Sequence, residues 1–446
     1  MIEFKKGLDR KQELLLPLRL EDYLDDKHPA KLVCSICDRL DLSKIEAKYK
    51  VLGQHAYDPR MMVSLLFYGY AIGIRSSRKI SKACEDRFDF AYISQKLKPS
   101  HDRISDFRKG NLEELKELFK EIVLIGANLG LVKLGNIKVS IDGTKIRANA
   151  SPKLTKDEKS LKKLLEETRN KIDRIFAEAE EIDELEDEEY GSGRRGDELP
   201  KKLQSRISRE KAIEDALKEL QKQKQEMKDG VMEEKRRELT RSELKKIEKM
   251  KINVTDQDAR YMKEREGVIR PNYNCQISVD EEEQFIVAND VTTECNDQHQ
   301  LIPMLLKTEE NIGPPDKVKA DNGYYSQLID AVRLFKDTDF YIDDRNRRKE
   351  DLDMEKIKDE YDEIAYENLT KLLSKKGSKE YKKRMHTVEP PFGDLKFNLG
   401  YRHFLLRGAD NVKGEFNLMC IAHNLKKFMY SLTNTDTDIS AIEKAA

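Results

Sequence analysis

The 446-residue chain has almost no net charge: 84 Lys and Arg stand against 85 Asp and Glu, a formal balance of −1. A uniformly basic nucleic-acid binder is excluded, so any affinity for phosphate has to come from local patches. Long hydrophobic runs are also missing. The longest, MMVSLLFYGYAIGI from Met61, falls short of the ~20 residues that cross a bilayer and reads as a buried helix. Cysteines are few, at 34, 37, 84, 275, 295 and 420, and no secretory signal precedes them, so a reduced cytoplasm is expected. Cys34 and Cys37 form a CxxC inside the helical pattern KLVCSICDRL. With no second pair at zinc spacing, packing in a core is the expectation.

Charge of both signs is in excess, at 38% of residues against roughly a quarter in an ordinary domain, so part of the chain must be extended and solvated. Two or three domains are expected at this length. Residues 15 to 130 carry apolar residues at three- and four-residue spacing, broken by YDPR and KPSHDR, and residues 1–133 are assigned to an all-helical domain. Within it, SRKISKACEDRFDFAYISQKL followed by SHDRISDFRKGN can supply a helix-turn-helix, with Ser100 capping the helix that bears Arg103, Asp106 and Arg108. Residues 135 to 148 switch to a strand pattern. From 152 to 250 almost everything is Lys, Glu, Arg, Asp or Leu. Leu161, Leu165, Thr168, Ile172, Ile175, Ala179 and Ile182 alternate spacings of four and three, as a heptad seam does. Gly191, Ser192 and Gly193 interrupt it, and Leu203, Ile207, Ile213, Leu217 and Leu220 follow Pro200. A charged, coiled-coil-like helical hairpin is expected there, and its mixed charge suits a protein partner better than a phosphate backbone.

The sheet resumes with NYNCQISVD and QFIVANDVT around an acidic turn, then a helix in ECNDQHQLIPMLLKTEENI and a strand at 318–320. Residues 335 to 380 read as a polar connection, 388 to about 432 as helical, and 434–446 as a loose tail. An α+β or α/β fold follows: a mixed sheet flanked by helices, from 134–151 and 251–433.

Three acids stand out: Asp142 in KVSIDGTKI, Asp321 in KVKADNGYY and Glu389 in HTVEPPFGDLK. The two Asp residues end Val- and Ile-rich runs, as the last residue of a strand does, and Glu389 lies where a helical pattern starts. Carboxylates gathered this way can hold two Mg²⁺ ions with positions open for phosphate and water. Singly, each has a plain reading: Asp before Gly forms turns, Asp-Asn-Gly is an ordinary loop, and Glu suits a helix's first turn. Asp280, Asp290 and Asp297, near strand ends, read as turn and capping residues.

Eight segments in order carry a resemblance: DPRMMVSLLFYGYAIGIRSSRKI, HDRISDFRKGN, SIDGTKIRANAS, RGDELP, NYNCQISVD, KADNGYYS, HTVEPPFGDLK and GYRHFLLRGADNVKGEFNLMCIAHNLKK. The chain resembles a bacterial insertion-sequence transposase of the DDE type, with an RNase H-like catalytic core. The resemblance implies that Asp142, Asp321 and Glu389 are catalytic and bind two Mg²⁺ ions, with Mn²⁺ as a substitute. It implies cleavage at the element's ends and transfer of the 3′-hydroxyl into target DNA. Partners would be double-stranded DNA, as terminal inverted repeats and target, and a second copy in a homodimer; the setting would be the cytoplasm, at the nucleoid.

Related transposases carry a spaced Tyr, Arg, Glu and Lys, which Tyr381, Arg384, Glu389 and Lys396 resemble, although four residues separate Arg384 from Glu389, one more than in the related set. Lys396, two helical turns after Glu389, would share its face and bind phosphate. Arg402 and Arg407 could clamp DNA phosphates, with a helix-end cap as the other reading of Arg407. Arg103 and Arg108 would contact DNA from the N-terminal domain, and the RSSRK cluster at 75–79, with Lys413, Lys426 and Lys427, supplies further cations. Two competing functions remain: a catalytically inactive, transposase-derived DNA-binding or assembly protein, and an RNase H-like nuclease that cleaves without joining.

Overall fold

Small polar caps set where the N-terminal helices begin. The Asp58 carboxylate accepts from Arg60 N at 2.9 Å, with Pro59 opening the helix, and Ser100 accepts from Arg103 N as anticipated. The computed structural model describes residues 19–49, 56–190, 201–235, 238–264, 266–349 and 352–434. Its first part is helical: α1 (Pro29–Cys37), α2 (Ser43–Glu46), α3 (Pro59–Ala71), α4 (Ser77–Asp86), α5 (Phe88–Ile93), α6 (His101–Gly110) and α7 (Leu112–Asn128). Every residue of α3 from Met61 to Ala71 is buried, as an all-round apolar helix requires. Cys34 and Cys37 pack within α1. Burial pushes the Cys34 thiol up to about 12 and raises Cys37 too, so both stay protonated. Among the described residues no helix is long and apolar enough to cross a membrane.

The chain then enters β1 (Ile137–Arg147) and leaves through β2 (Thr155–Asp157) for α8 (Glu158–Tyr190), α9 (Lys201–Lys235) and α10 (Arg241–Glu248). It returns through β3 (Lys251–Asn253), β4 (Arg260–Lys263), β5 (Ile269–Asp280), β6 (Ile286–Thr292), α11 (Leu301–Ile312), β7 (Pro315–Ala320), α12 (Leu328–Leu334) and β8 (Asp339–Ile342). The helices α13 (Met354–Glu360), α14 (Glu363–Leu373), α15 (Lys375–Gly393) and α16 (Ala409–Asn434) complete it. β5 pairs antiparallel with β1 on one side and with β6 and β4 on the other, and β7 and β8 add in parallel beyond β1. This is the expected mixed sheet, antiparallel strands first and parallel ones beside them, flanked by helices.

β1 fills the strand pattern expected over 135 to 148. Three expectations change. Asp142 does not end its strand: Gly143 to Arg147 stay paired with Gln276 to Asn272 of β5. The polar interval from 335 to 380 contains strand β8 and two helices, whose apolar residues are few but buried, among them Phe340, Ile342, Leu369 and Leu372. Glu389 lies near the end of α15 rather than at a helix start; the Pro390 and Pro391 rings are accommodated in the last turn, and a π-helical turn follows at Asp394–Asn398.

α16 ties the halves together. It packs on α3 and α7 from one direction and on β6 from the other, so the N-terminal helices and the sheet share one continuous core. Buried Arg75 reaches across to Glu415 of α16 at 3.2 Å, a carboxylate that also accepts from Leu405 N and Leu406 N, which removes Arg75 from the exposed RSSRK cations.

The α8–α9 insertion has its own small core. Leu161 packs with Ile213, Ala216, Leu220, Ile252 and Val254, and Thr168 and Ile172 are buried further along the anticipated seam. Antiparallel β2 and β3 pin its base, with Thr155 opposite Asn253. The Gly191-Ser192-Gly193 break, the RGDELP segment, the tail after 434 and the side chains of Ile175, Ala179, Ile182 and Leu203 lie outside the described residues. Because this core is separate, replacing residues 158–250 with a short Gly/Asn turn between β2 and β3 should leave one cooperative thermal transition near that of the parent. Loss of cooperativity in a circular-dichroism melt would show instead that the insertion holds the main fold together.

Candidate active site

The site is built by register. β1 and β7 pair in parallel with Ser140 opposite Lys319, and two residues further along each chain come Asp142 and Asp321. β7 ends at Ala320 while β1 continues, so both acids emerge at the carboxyl end of β7, where open α/β sheets bind ligands. Asp142 and Asp321 lie near enough that the charge of Asp321 raises the Asp142 pKa. Each acid is turned by its own backbone: Asp142 Oδ1 accepts from Gly143 N (2.9 Å) and Asp321 Oδ1 from Gly323 N (2.8 Å).

One guanidinium faces both. Arg384 of α15 brings Nη1 to 3.1 Å from Asp142 Oδ2. Neither Nη1 nor Nε, both buried, makes a well-directed hydrogen bond, so the contact is mainly charge on charge. Burial pushes Asp142 up to about 6 against the pull of Arg384, and Asp321 is raised by burial with the same opposition.

α15 is fixed against the sheet by ions. Lys319, fully buried on β7 two residues before Asp321, is bonded to Glu281 and lies 3.1 Å from Glu380 of α15, which Lys383 also contacts at 2.9 Å. Burial would raise Glu380, but hydrogen bonds from Lys383 and Lys319 outweigh it and hold the carboxyl at about 2.

In front lies a cleft of about 640 Å³, lined by Asp142, Lys145, Arg147, Asp297, Glu389, Lys396, Phe397 and Arg402 among others. Glu389 is exposed on its wall. Lys396 shares the cleft with Glu389, but its Nζ is committed to Thr144 Oγ1 (2.5 Å) and Lys145 O (2.9 Å), tying the π-helical turn to β1. Arg402 is exposed, with its guanidinium 5.0 Å from the centre of the Phe397 ring.

The other expected contacts divide. Tyr381 is buried behind Arg384, with Arg347 over its ring at 4.6 Å, so it supports the site without facing the cleft. Arg108 is buried and donates to Tyr70 Oη (3.2 Å) and Arg75 O (3.0 Å); it holds helices together and is not a DNA contact in this fold. Arg103 is exposed beside a second cleft of about 590 Å³ that Lys48 and Lys98 also line. Arg407 is exposed and donates to Asn149 O (2.9 Å); it precedes α16, so it caps no helix end. Lys426 is bonded to Asp394, and Lys413 lies 3.9 Å from Asp290.

Asp280 does cap a turn, accepting from Glu282 N and Glu283 N, and Asp290 pairs with Lys307. Asp297 does not behave as a capping residue: it lies in the cleft wall, between the chain segments that carry Asp142 and Asp321. Its loop position gave no sign of this; the pair of glycines at 143 and 323 was the only trace in the sequence.

Two family models match the chain, one described as Transposase domain (DUF772) over residues 18–110 and one as Transposase DDE domain over residues 344–429. Both matches support an insertion-sequence DDE transposase. The second takes in Arg384, Glu389 and Lys396, and the first takes in α1 to α6. No curated protein and no solved structure gives a match.

As a donor set the acids of the transposase suit a hard divalent cation, since Asp142, Asp321 and Glu389 offer carboxylate oxygen alone. Asp142 and Asp321 fit: they are neighbours, and one guanidinium serves both. Glu389 shares the cleft but is not gathered with them, and among the described residues no three acids, histidines or cysteines form a ready group for a metal.

The ion cluster gives a test of how α15 is held. Lys319→Met should cost about 3–5 kcal/mol, as removal of one partner from a buried pair does. Glu380, at about 2 in the fold against an ordinary 4.5, contributes stability above pH 4.5 that is lost as pH falls towards 2. The gap between parent and variant in denaturant titrations should therefore narrow on acidification. A gap independent of pH would remove Glu380 from the account.

Proposed function

We propose that this transposase cleaves DNA at the ends of its own element and joins the freed 3′-hydroxyl to target DNA, with Asp142, Asp321 and Glu389 as the catalytic acids. The observation that carries the reading is the parallel register of β1 and β7, which brings two raised-pKa carboxylates to one strand end, with Asp142 lining a cleft that Glu389 also lines. Asp142 and Asp321 would hold divalent Mg²⁺, or Mn²⁺ in its place, and Glu389, which lines the same cleft, would complete a two-ion site. Bound there, the metal would make water or a 3′-hydroxyl a better nucleophile and stabilise the departing oxygen.

The chain's own groups do the rest. Arg384 favours the ionised forms of Asp142 and Asp321 against burial, which alone would favour their protonated forms. Arg402 and Lys145 present positive charge along the cleft, where a phosphate backbone would run, and Lys396 fixes the strand that carries Asp142. Burial lowers the Lys145 pKa, and the nearby Asp297 carboxylate opposes that shift. Arg103, Arg407 and the exposed Arg78 and Lys79 supply outlying phosphate contacts. A homodimer would bring two ends together, with the α8–α9 hairpin as its protein contact.

Asp142→Asn, Asp321→Asn and Glu389→Gln should each abolish cleavage of labelled end DNA in Mg²⁺ while leaving gel-shift affinity for that DNA within about threefold. Cleavage retained in one variant would remove that residue from the site. Cleavage without joining in the parent protein would favour the nuclease reading, and binding with neither would favour the inactive derivative.

A further inference from the structure

Asp297 lies in the loop between β6 and α11, and every hydrogen bond its carboxylate accepts among the described residues comes from a side chain. Oδ1 accepts from Asn274 Nδ2 and Gln276 Nε2, each at 2.7 Å, and Lys145 Nζ lies at 3.8 Å. A turn or helix cap would accept from backbone N–H instead, as Asp280 does twice on the neighbouring hairpin. Asn274 and Gln276 are fully buried on β5, where a polar side chain is costly unless paired. Gln276 is directly opposite Gly143 and accepts at Oε1 from the Tyr324 hydroxyl, three residues after Asp321. The chain of contacts therefore runs from the residue after Asp142, through Gln276 and Asp297, to the turn after Asp321.

The glycines show how tight this is. A Cβ at Gly143 would meet Gln276 Nε2 at 2.4 Å and Asp297 Oδ1 at 2.7 Å; a Cβ at Gly323 would meet Asp297 Cβ at 3.4 Å and its Oδ2 at 3.5 Å. One carboxylate side chain therefore crowds Gly143, next to Asp142, and makes ordinary van der Waals contact at Gly323, two residues after Asp321.

We propose that Asp297 is a positioning residue of this site: anchored by Asn274 and Gln276, it is the spacer that sets Asp142 and Asp321 at the separation a shared cation requires. The inference rests on the reading of those two acids as metal ligands. A partner that orients ligands in this way typically changes metal affinity by 10- to 100-fold when removed.

The test is Mn²⁺ binding by the full-length, DNA-free protein, followed by calorimetry, with end-DNA affinity and thermal midpoint measured alongside. Asp297→Ala should weaken Mn²⁺ binding about tenfold or more while end-DNA binding is unchanged. Asp297→Asn keeps an oxygen for Asn274 and Gln276 and should recover most of the loss. Gly143→Ala, which crowds the spacer from the other side with Asp297 intact, should weaken Mn²⁺ binding as Asp297→Ala does. Parental Mn²⁺ affinity in Asp297→Ala, or no recovery in Asp297→Asn, would overturn the positioning role. If the parent binds no Mn²⁺, or Asp142→Asn binds it as the parent does, the metal-ligand reading itself fails, which is a separate result.

Discussion

The pairing of Ser140 with Lys319 is the constraint from which the candidate site follows. Side chains on a strand alternate faces, so a slip of one residue between β1 and β7 would send Asp142 to the opposite side from Asp321. Register is held here by what is buried on both sides: Val139 and Ile141 of β1 and Val318 and Ala320 of β7 are fully inaccessible, so slippage would also expose apolar surface. Asp142 and Asp321 are thus carried by the buried centre of the sheet, while Arg384 and Glu389 come from a helix packed beside it.

Lys319 extends the same logic to the third wall. A lysine with no exposed surface would be expelled or neutralised unless paired, and it is paired twice, to the hairpin acid Glu281 and to Glu380 of α15. Its position on β7 means that the strand delivering Asp321 also anchors the helix delivering Arg384 and Glu389. A single strand therefore coordinates the two elements that face each other across the cleft.

Much of this was legible in the sequence, for identifiable reasons. The strands β1, β5 and β6 announce themselves through Val and Ile, β7 only through the short run before Asp321, and α3 through its long apolar run. β8, with only DFYI between charged segments, is short enough that its apolar residues carry no period. The strand pattern over 135 to 148 matches β1, but Asp142 sits within it and not at its end, because Gly143, Thr144 and Lys145, which look like a turn, are held extended by β5. Arg75 and Arg108 read as cations open to DNA because composition reports charge and not burial, and Tyr381 reads as a DNA contact through the resemblance; each is folded inward, Arg75 and Arg108 against acceptors elsewhere in the chain and Tyr381 behind Arg384. Asp297 reads as a turn or capping residue in the sequence because its partners on β5 come from 21 and 23 residues away, a closeness that only the folded sheet creates.

The paired base at β2 and β3 makes the long insertion a lever. Its first helix, α8, has 33 residues and so extends about 50 Å at 1.5 Å per residue, from a fulcrum of three residue pairs. A tilt of roughly 6° at that fulcrum sweeps the far tip through about 5 Å, one helical turn, while the main core stays still. Whatever grips the tip therefore needs little force to feel, or to impose, a change of angle at the root beside β1.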